Sequence, residues 1–457
     1  MRFTLAALAF AALAVSPSLA QEAVVTPDPA QIISDRITRD GQGIGIATAV
    51  VEDDVPSFAS HGVLAAGGPT SVDEHTLFEI GSISKIFTNL LLAQLVLEGK
   101  IDLDAPVSDY LPEGTMVPEF EGKPITLFDL ATHTSGLPSI PPELALADPA
   151  NPYQFYSVDL LNAFLAAFPL PRAPGEKHEY SNIGTTLIGL AVSHVAGQSY
   201  EQMVQQRILD PLGMEDTTLV VPEDKLPRFA SGHAQGQPAG HWDFDVFAPA
   251  GGWRSTATDM AKFIAAASGQ TETPLKPAFD LMLERTRPAG SPAMSIGLGW
   301  MILQHAGGQI VWHNGMTGGF NAFAGYDRNT GRAAVVLANA ISATGIEDIG
   351  FHLIDPTAPL TPQPQPRTEV QLDPAVLDNY VGDYELGPEF QIAVTVENGQ
   401  LYVQASGQDR FPAFPESETI FFLKVVDAQI SFETGADGKA TGLILHQNGQ
   451  DISGTRK

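Results

Sequence analysis

A serine and a lysine three residues apart, Ser82 and Lys85 in Phe78-Glu79-Ile80-Gly81-Ser82-Ile83-Ser84-Lys85, can do together what neither does alone. At the start of a helix, side chains at this spacing leave one face a turn apart. Free backbone N–H groups and the helix dipole favour negative charge on Ser82, and a lysine amine is within reach of its hydroxyl. That combination turns a weak alcohol into a nucleophile. The pair is the only Ser-x-x-Lys in the chain. By itself it also fits a helix N-cap followed by an exposed lysine.

Two further groups could serve the same reaction. Tyr180-Ser181-Asn182 is the only Tyr-x-Asn and precedes an apolar-periodic segment at 183–195. A phenol beside a lysine ammonium has its phenolate favoured, so Tyr180 is a candidate base; a half-buried tyrosine followed by an Asn cap is the plain alternative. His313-Asn314-Gly315-Met316-Thr317-Gly318-Gly319-Phe320 ends an apolar strand. A glycine there lets another backbone approach closely, and strand-edge N–H groups can face a developing oxyanion. His305-Ala306-Gly307 is a second His-x-Gly, but Gly308 follows it and it reads as a hairpin turn. None of the eleven histidines forms His-x-x-x-His or His-Glu-x-x-His, so neither a metal nor another cofactor is expected.

These groups need elements to hold them. Apolar periodicity predicts a helix over 27–39, a strand over 45–51 with a hairpin partner at 57–63, and a helix from Ser82 to about Glu98 that buries Ile83, Phe87, Leu90, Leu91 and Leu95 and ends at Gly99. A mainly helical stretch, 100–286, is broken by proline-rich loops. Strands are expected again at 296–304, 309–313, 320–326 and 333–337. The fold class is therefore α+β, an α/β sandwich: an antiparallel sheet built from N- and C-terminal strands, flanked by helices and carrying a helical insertion.

Residues 356–366 are rich in proline and read as an extended linker between a main domain, 21–355, and a C-terminal β domain, 367–457. Six short strands, at 381–384, 392–396, 401–405, 420–425, 430–432 and 443–446, predict a small barrel or sandwich there. Residues 1–20 look like a secretory signal, with Arg2, an apolar run over 5–15 and Ser18-Leu19-Ala20 before the cut. The run is well short of the roughly 20 residues that span a bilayer, so the mature chain is expected to have no stable membrane span. Export places the protein in the periplasm or outside the cell. A formal charge of −29 opposes nucleic acid as a partner, and the absence of cysteine excludes disulfides and thiolate chemistry. Oligomeric state has no reading in the sequence.

Together the three motifs resemble the serine β-lactamase and penicillin-binding-protein superfamily, and most closely its class C β-lactamase-like branch, which also holds DD-peptidases and esterases. Flanking stretches share the resemblance: Leu130-Ala131-Thr132-His133-Thr134-Ser135-Gly136-Leu137-Pro138, Pro211-Leu212-Gly213-Met214 and Gly251-Gly252-Trp253-Arg254-Ser255-Thr256. The resemblance implies Ser82 as the acylated nucleophile and Lys85 and Tyr180 as the proton-transfer pair. It implies that Asn182 binds the substrate amide and helps hold Lys85, that the N–H groups of Ser82 and Met316 form an oxyanion hole, and that His313, Gly315 and Thr317 border the substrate. His133 is expected to be a structural hydrogen-bonder.

One departure bears on the substrate. His313-Asn314-Gly315 stands where β-lactamases of this branch carry Lys-Thr-Gly, and a histidine of ordinary pKa is mostly neutral at pH 7. The expected reaction is acyl-enzyme hydrolysis of a small-molecule or peptide substrate, a D-Ala-D-Ala-type peptide or a β-lactam. A carboxylesterase of the same fold and a penicillin-recognising sensor with little turnover are the alternatives. Loops over 137–152 and 232–249 are expected to set specificity.

Overall fold

The computed structural model describes residues 28–457 except 149, 235, 343, 362–366, 388–389, 407–409, 425–427 and 448–449. The signal-like residues 1–20 and part of the proline-rich linker lie outside the described residues.

Helix α1 (Pro29–Thr38) starts with Pro29 in its first turn, and the Asp28 side chain accepts from the Ala30 N–H. Strands β1 (Gly45–Glu52) and β2 (Val55–Gly62) form a hairpin. Its two-residue turn is exposed and places Asp53 and Asp54 at φ 51° and 62°, as a tight hairpin turn requires. The remaining sheet strands come from far along the chain: β3 (Arg287–Ala289), β4 (Ser291–Ile296), β5 (Met301–His305), β6 (Gly308–Met316), β7 (Asn321–Asp327) and β8 (Ala333–Ala338). They pair antiparallel in the order β2-β1-β8-β7-β6-β5-β4-β3. β1 pairs with β8, Ile46 opposite Ala338, so strands from both ends of the domain share one sheet as expected.

Both faces of this sheet are covered. Ala47, Ala49 and Val51 join the large helical core on one side, while Ile46 and Val50 pack with α1 and α5 (Glu347–Ile354) on the other. Burial on both faces explains why β1 reads as a continuous apolar run rather than an alternation.

Helix α2 (Ser84–Leu97) follows a short 3-10 turn, Gly81–Ile83, and stops where Gly99 adopts φ 69°. The expected apolar positions are buried, but so are Ser84, Lys85, Thr88, Asn89 and Leu92. The helix is enclosed rather than half-exposed because α3 (Asn182–Ala196), Ala248–Gly251 and Lys276–Glu284 all pack against it. α4 (Ala257–Ser268) lies against the sheet on the same side.

The strand expected over 296–304 is two strands. Residues Gly297, Leu298, Gly299 and Trp300 separate β4 from β5, and Gly299 sits at φ 79°. A Cβ there would lie 2.8 Å from Asn89 Nδ2, so the break is fitted to α2. His305-Ala306-Gly307 is the β5–β6 turn.

Beyond the main sheet the chain forms a closed eight-stranded barrel running from Gly382–Gly387 to Gln450–Arg456, around Tyr380, Tyr384, Phe421 and Phe432. Two strands escape the pattern reading. Arg410–Pro415 carries two prolines, which normally demote a strand, and Gln450–Arg456 is polar and contains Gly454.

The main domain depends on one close approach. A Cβ on Gly315 would fall 1.9 Å from the Ile80 carbonyl oxygen and 3.0 Å from the Ser82 nitrogen. Gly315→Ala is therefore expected to cost about 2–3 kcal/mol through forced backbone displacement. Thermal or urea unfolding of the main domain measures it, and stability equal to the parent would contradict this packing.

Candidate active site

Residues Phe78–Glu79 pair antiparallel with Arg254–Ser255, and the Ile80 N–H donates to the Trp253 carbonyl at 3.1 Å. The Trp253 N–H in turn donates to Ser84 Oγ at 3.1 Å. This small ladder fixes the segment entering the Gly81–Ile83 turn. Ser82 sits on that turn and Lys85 in the first turn of α2, so the expected one-turn stacking is realised. Lys85 Nζ lies 3.0 Å from Ser82 Oγ, 2.7 Å from Asn182 Oδ1 and 2.6 Å from the Ala250 carbonyl oxygen.

The second motif arrives from the N-terminus of α3. Ser181 is the N-cap, its Oγ accepting from the Gly184 N–H, and it keeps an extended backbone at φ −136°, ψ 114°. In extended backbone residues i and i+2 point the same way, so Tyr180 and Asn182 both face the nucleophile turn. The Tyr180 hydroxyl donates to Ser82 Oγ at 2.7 Å. The Asn182 N–H donates to the Ser139 carbonyl at 2.9 Å, and Ser181 Oγ to the Pro138 carbonyl at 2.7 Å.

The third motif closes the site through backbone. Gly81, at φ 50°, faces the end of β6, and a Cβ there would meet the Met316 nitrogen at 2.7 Å. Together with Gly315 over Ser82, this brings the backbone nitrogens of Ser82 and Met316 onto facing segments. The Met316 side chain is exposed, whereas His313 and Thr317 are buried. Thr317 Oγ1 has no hydrogen-bond partner among the described residues, and neither does Trp242 Nε1, which lies beside Gly318.

The electrostatics differ from the sequence expectation at Tyr180. Burial pushes its phenol pKa up, against the lowering by its bond to Ser82, so the phenol stays protonated near neutral pH. Lys85 is fully enclosed, and desolvation lowers its pKa well below 10.5. The lysine, not the phenolate, is the group prepared to take a proton, while Tyr180 is placed to give one. Lys85 Nζ also lies 4.8 Å from the Tyr180 ring centroid. His313 is lowered to about 4 by burial and by the neighbouring Lys85, so it is neutral at pH 7; its Nδ1 pairs with the Asn314 carbonyl at 2.5 Å.

Several participants carry no motif. Tyr153 lies near Asn182 and stacks on Phe244 with ring centres 4.8 Å apart. Asn151 and Asp243 exchange two hydrogen bonds, Nδ2 to Oδ2 at 3.0 Å and N–H to Oδ1 at 2.8 Å, so the two loops expected to set specificity are tied to each other. Buried Glu79 accepts from the Trp242 N–H at 3.0 Å and from Arg254 Nη2 at 3.3 Å, anchoring one loop to the strand that precedes Ser82. Aromatic and proline content in 137–157 and 239–249 was the available signal for these loops, but it does not specify partners. His133 accepts from the Ser181 N–H at Nδ1. Among the described residues no three His, Asp or Glu side chains gather as a metal site would require. A cavity of about 1180 Å³ between β5, β6, α5 and residues 355–361 holds none of the groups around Ser82.

A family model described as Beta-lactamase matches residues 29–354, and one described as a domain of unknown function (DUF3471) matches 366–456. The D-alanyl-D-alanine-carboxypeptidase/endopeptidase AmpH of Escherichia coli K12 is 28% identical over 374 residues, covering 76% of this chain and 96% of that protein. Penicillin-binding protein 4* of Bacillus subtilis is 26% identical over 408 residues, covering 84% and 88%. The crystal structure of a class C β-lactamase from Rhodobacter sphaeroides superposes with a TM-score of 0.59 at 27% identity, covering 68% of this chain and 93% of that one. No helix among the described residues is long and apolar enough to cross a membrane.

The His313 displacement has a signed consequence for stability. Its folded pKa lies below its unfolded one, so as pH falls from about 6.5 to about 4 the unfolded chain takes up a proton that the buried ring refuses, and stability is lost. A change from 6.5 to about 4 corresponds to about 3 kcal/mol. The stability difference between the parent and His313→Asn should therefore shrink by about that amount between pH 7 and pH 4, read by denaturant unfolding. A pH-independent difference would show that the folded ring takes up its proton as it does in the unfolded chain.

Proposed function

This chain belongs to the β-lactamase family, and from that premise we propose that it is an exported serine hydrolase that opens amide or ester carbonyls through an acyl-enzyme on Ser82. The observation that carries the reading is Ser82 Oγ held between Lys85 Nζ at 3.0 Å and the Tyr180 hydroxyl at 2.7 Å.

On this reading neutral Lys85 accepts the Ser82 hydroxyl proton as Oγ attacks the carbonyl carbon. The negative charge that develops on the carbonyl oxygen faces the N–H groups of Ser82 and Met316. Collapse of the tetrahedral intermediate breaks the bond to the leaving nitrogen or oxygen, which takes a proton from Tyr180. The proton held on Lys85 then passes to the phenolate oxygen of Tyr180, which returns both groups to their starting state. Water then attacks the Ser82 ester, its proton travels back along the same path, and Oγ–H is regenerated with release of the acid. Asn182 orients Lys85 and has an amide to offer the substrate.

D-Alanyl peptides and β-lactams are the favoured substrates, and the E. coli relative, named as a D-alanyl-D-alanine carboxypeptidase and endopeptidase, supports that class. A short-chain ester is the second reading. Neutral His313 supports it, since a substrate without a carboxylate needs no cation at that position. The signal-like residues 1–20 support a periplasmic or secreted location, with the cut after Ala20. The C-terminal barrel is proposed as a separate domain beyond the linker.

Assaying a β-lactam, an acyl-D-Ala-D-Ala peptide and a nitrophenyl ester side by side should find at least one turned over. Ser82→Ala should lower that rate by at least about 10³-fold. Intact mass of the parent should shift by the mass of the acyl group during turnover of a slow substrate. Undiminished hydrolysis by Ser82→Ala would refute the acyl-enzyme.

A further inference from the structure

Resting on the acyl-enzyme reading above, we infer that His133 is the positioning residue for Tyr180: one side chain and its own carbonyl fix the residue before the phenol, the phenol ring, and the residue after it. The His133 carbonyl accepts from the Glu179 N–H at 2.7 Å. Its ring lies 4.5 Å from the Tyr180 ring, centre to centre, with planes inclined by 41°. Its Nδ1 accepts from the Ser181 N–H at 3.2 Å. Three successive residues, Glu179, Tyr180 and Ser181, thus take their places from one neighbour that is itself 2% exposed.

The chemistry of the ring suits this task. Accepting at Nδ1 puts the imidazole proton on Nε2, which is buried and has no partner among the described residues. Burial pushes the ring's pKa well below the usual histidine value, which keeps it neutral and preserves the acceptor. The ring of His178 stands edge-on, 6.0 Å away, and completes the packing. His133 has φ 53°, in the left-handed region that asparagine tolerates better than most residues.

The geometry matters because Tyr180 lies in a loop. Its hydroxyl must stay 2.7 Å from Ser82 Oγ, and nothing in regular secondary structure before α3 enforces that. A displacement of about 1 Å at such a group costs about 100-fold in rate.

Two substitutions separate the contributions. His133→Phe keeps an aromatic ring against Tyr180 and removes the acceptor. His133→Asn removes the ring and offers Oδ1 to the Ser181 N–H in a backbone conformation asparagine accepts. On whichever substrate the parent turns over, His133→Phe should lower kcat about 10- to 100-fold with KM within about threefold, and His133→Asn should stay within about fivefold of the parent in kcat. Melting temperature reports folding for each. A folded His133→Phe with parental kcat, or a folded His133→Asn that has lost as much as His133→Phe, overturns the inference. If His133→Phe does not fold, His133→Asn decides: parental kcat supports it, and a drop beyond tenfold overturns it. Ser82→Ala measured in parallel keeps the two claims apart, since activity that survives in it refutes the acyl-enzyme reading whatever His133 does.

Discussion

The site is organised by the cost of enclosing a lysine. Lys85 has no exposed surface, and its three nearest acceptors, Ser82 Oγ, Asn182 Oδ1 and the Ala250 carbonyl, are uncharged. A buried ammonium without a carboxylate is poorly compensated, so the equilibrium moves toward the free amine. Residues Ser84–Ala93 of α2 are all buried, and this enclosure of its first turns is what desolvates Lys85, while the last turn reaches the surface at Leu97. A lysine shifted in that direction has the Ser82 hydroxyl 3.0 Å from its nitrogen.

Holding that arrangement takes backbone rather than further side chains. Gly81 and Gly315 let the nucleophile turn and the end of β6 touch without intervening side chains, and the two-residue pairing with Arg254–Ser255 grips the turn from its other side. Both glycines are fixed by sterics: at each, a methyl group would overlap a main-chain atom of the facing segment. The site therefore exists only when strands from the C-terminal part of the domain have paired, since β6 reaches its register through β5 and β7. The site thus requires the sheet in its native register.

Much of this was readable locally. The β1–β2 hairpin, the helix after Ser82 and the β5–β6 turn each follow from patterns spanning fewer than about twenty residues. Motif order brought Ser82, Lys85, Tyr180 and Asn182 into consideration together, and they do meet. What escaped depends on what surrounds an element. Enclosure of α2 was hidden because Thr88 and Asn89 look solvent-facing until Pro249 and Gly299 are placed beside them. The pKa direction of Tyr180 was misjudged for the same reason: the nearby lysine is visible in the motif, but the desolvation that outweighs it is not. The proline-bearing barrel strand Arg410–Pro415 was missed because closure of the barrel, a property of all eight strands, overrides the local penalty.

Histidine at 313 fits the same electrostatic logic. The end of β6 lies against the nucleophile turn, so a permanently charged side chain at 313 would enter a region where Lys85 already resists a proton. Neutral His313 with its Nδ1 on the Asn314 carbonyl adds no charge and leaves the Lys85 amine free to act. On the proposed reading, substrate binding would then draw on dipoles. The backbone N–H groups of Ser82 and Met316, the Asn182 amide, and the Thr317 hydroxyl and Trp242 indole N–H, which have no partner among the described residues, are all neutral. A site composed in this way gains most from a polarised carbonyl and least from a remote carboxylate. On the proposed acyl-enzyme reading, selection would then fall on the scissile group itself, with the tied loops around Asn151 and Asp243 left to choose among the acyl groups that carry it.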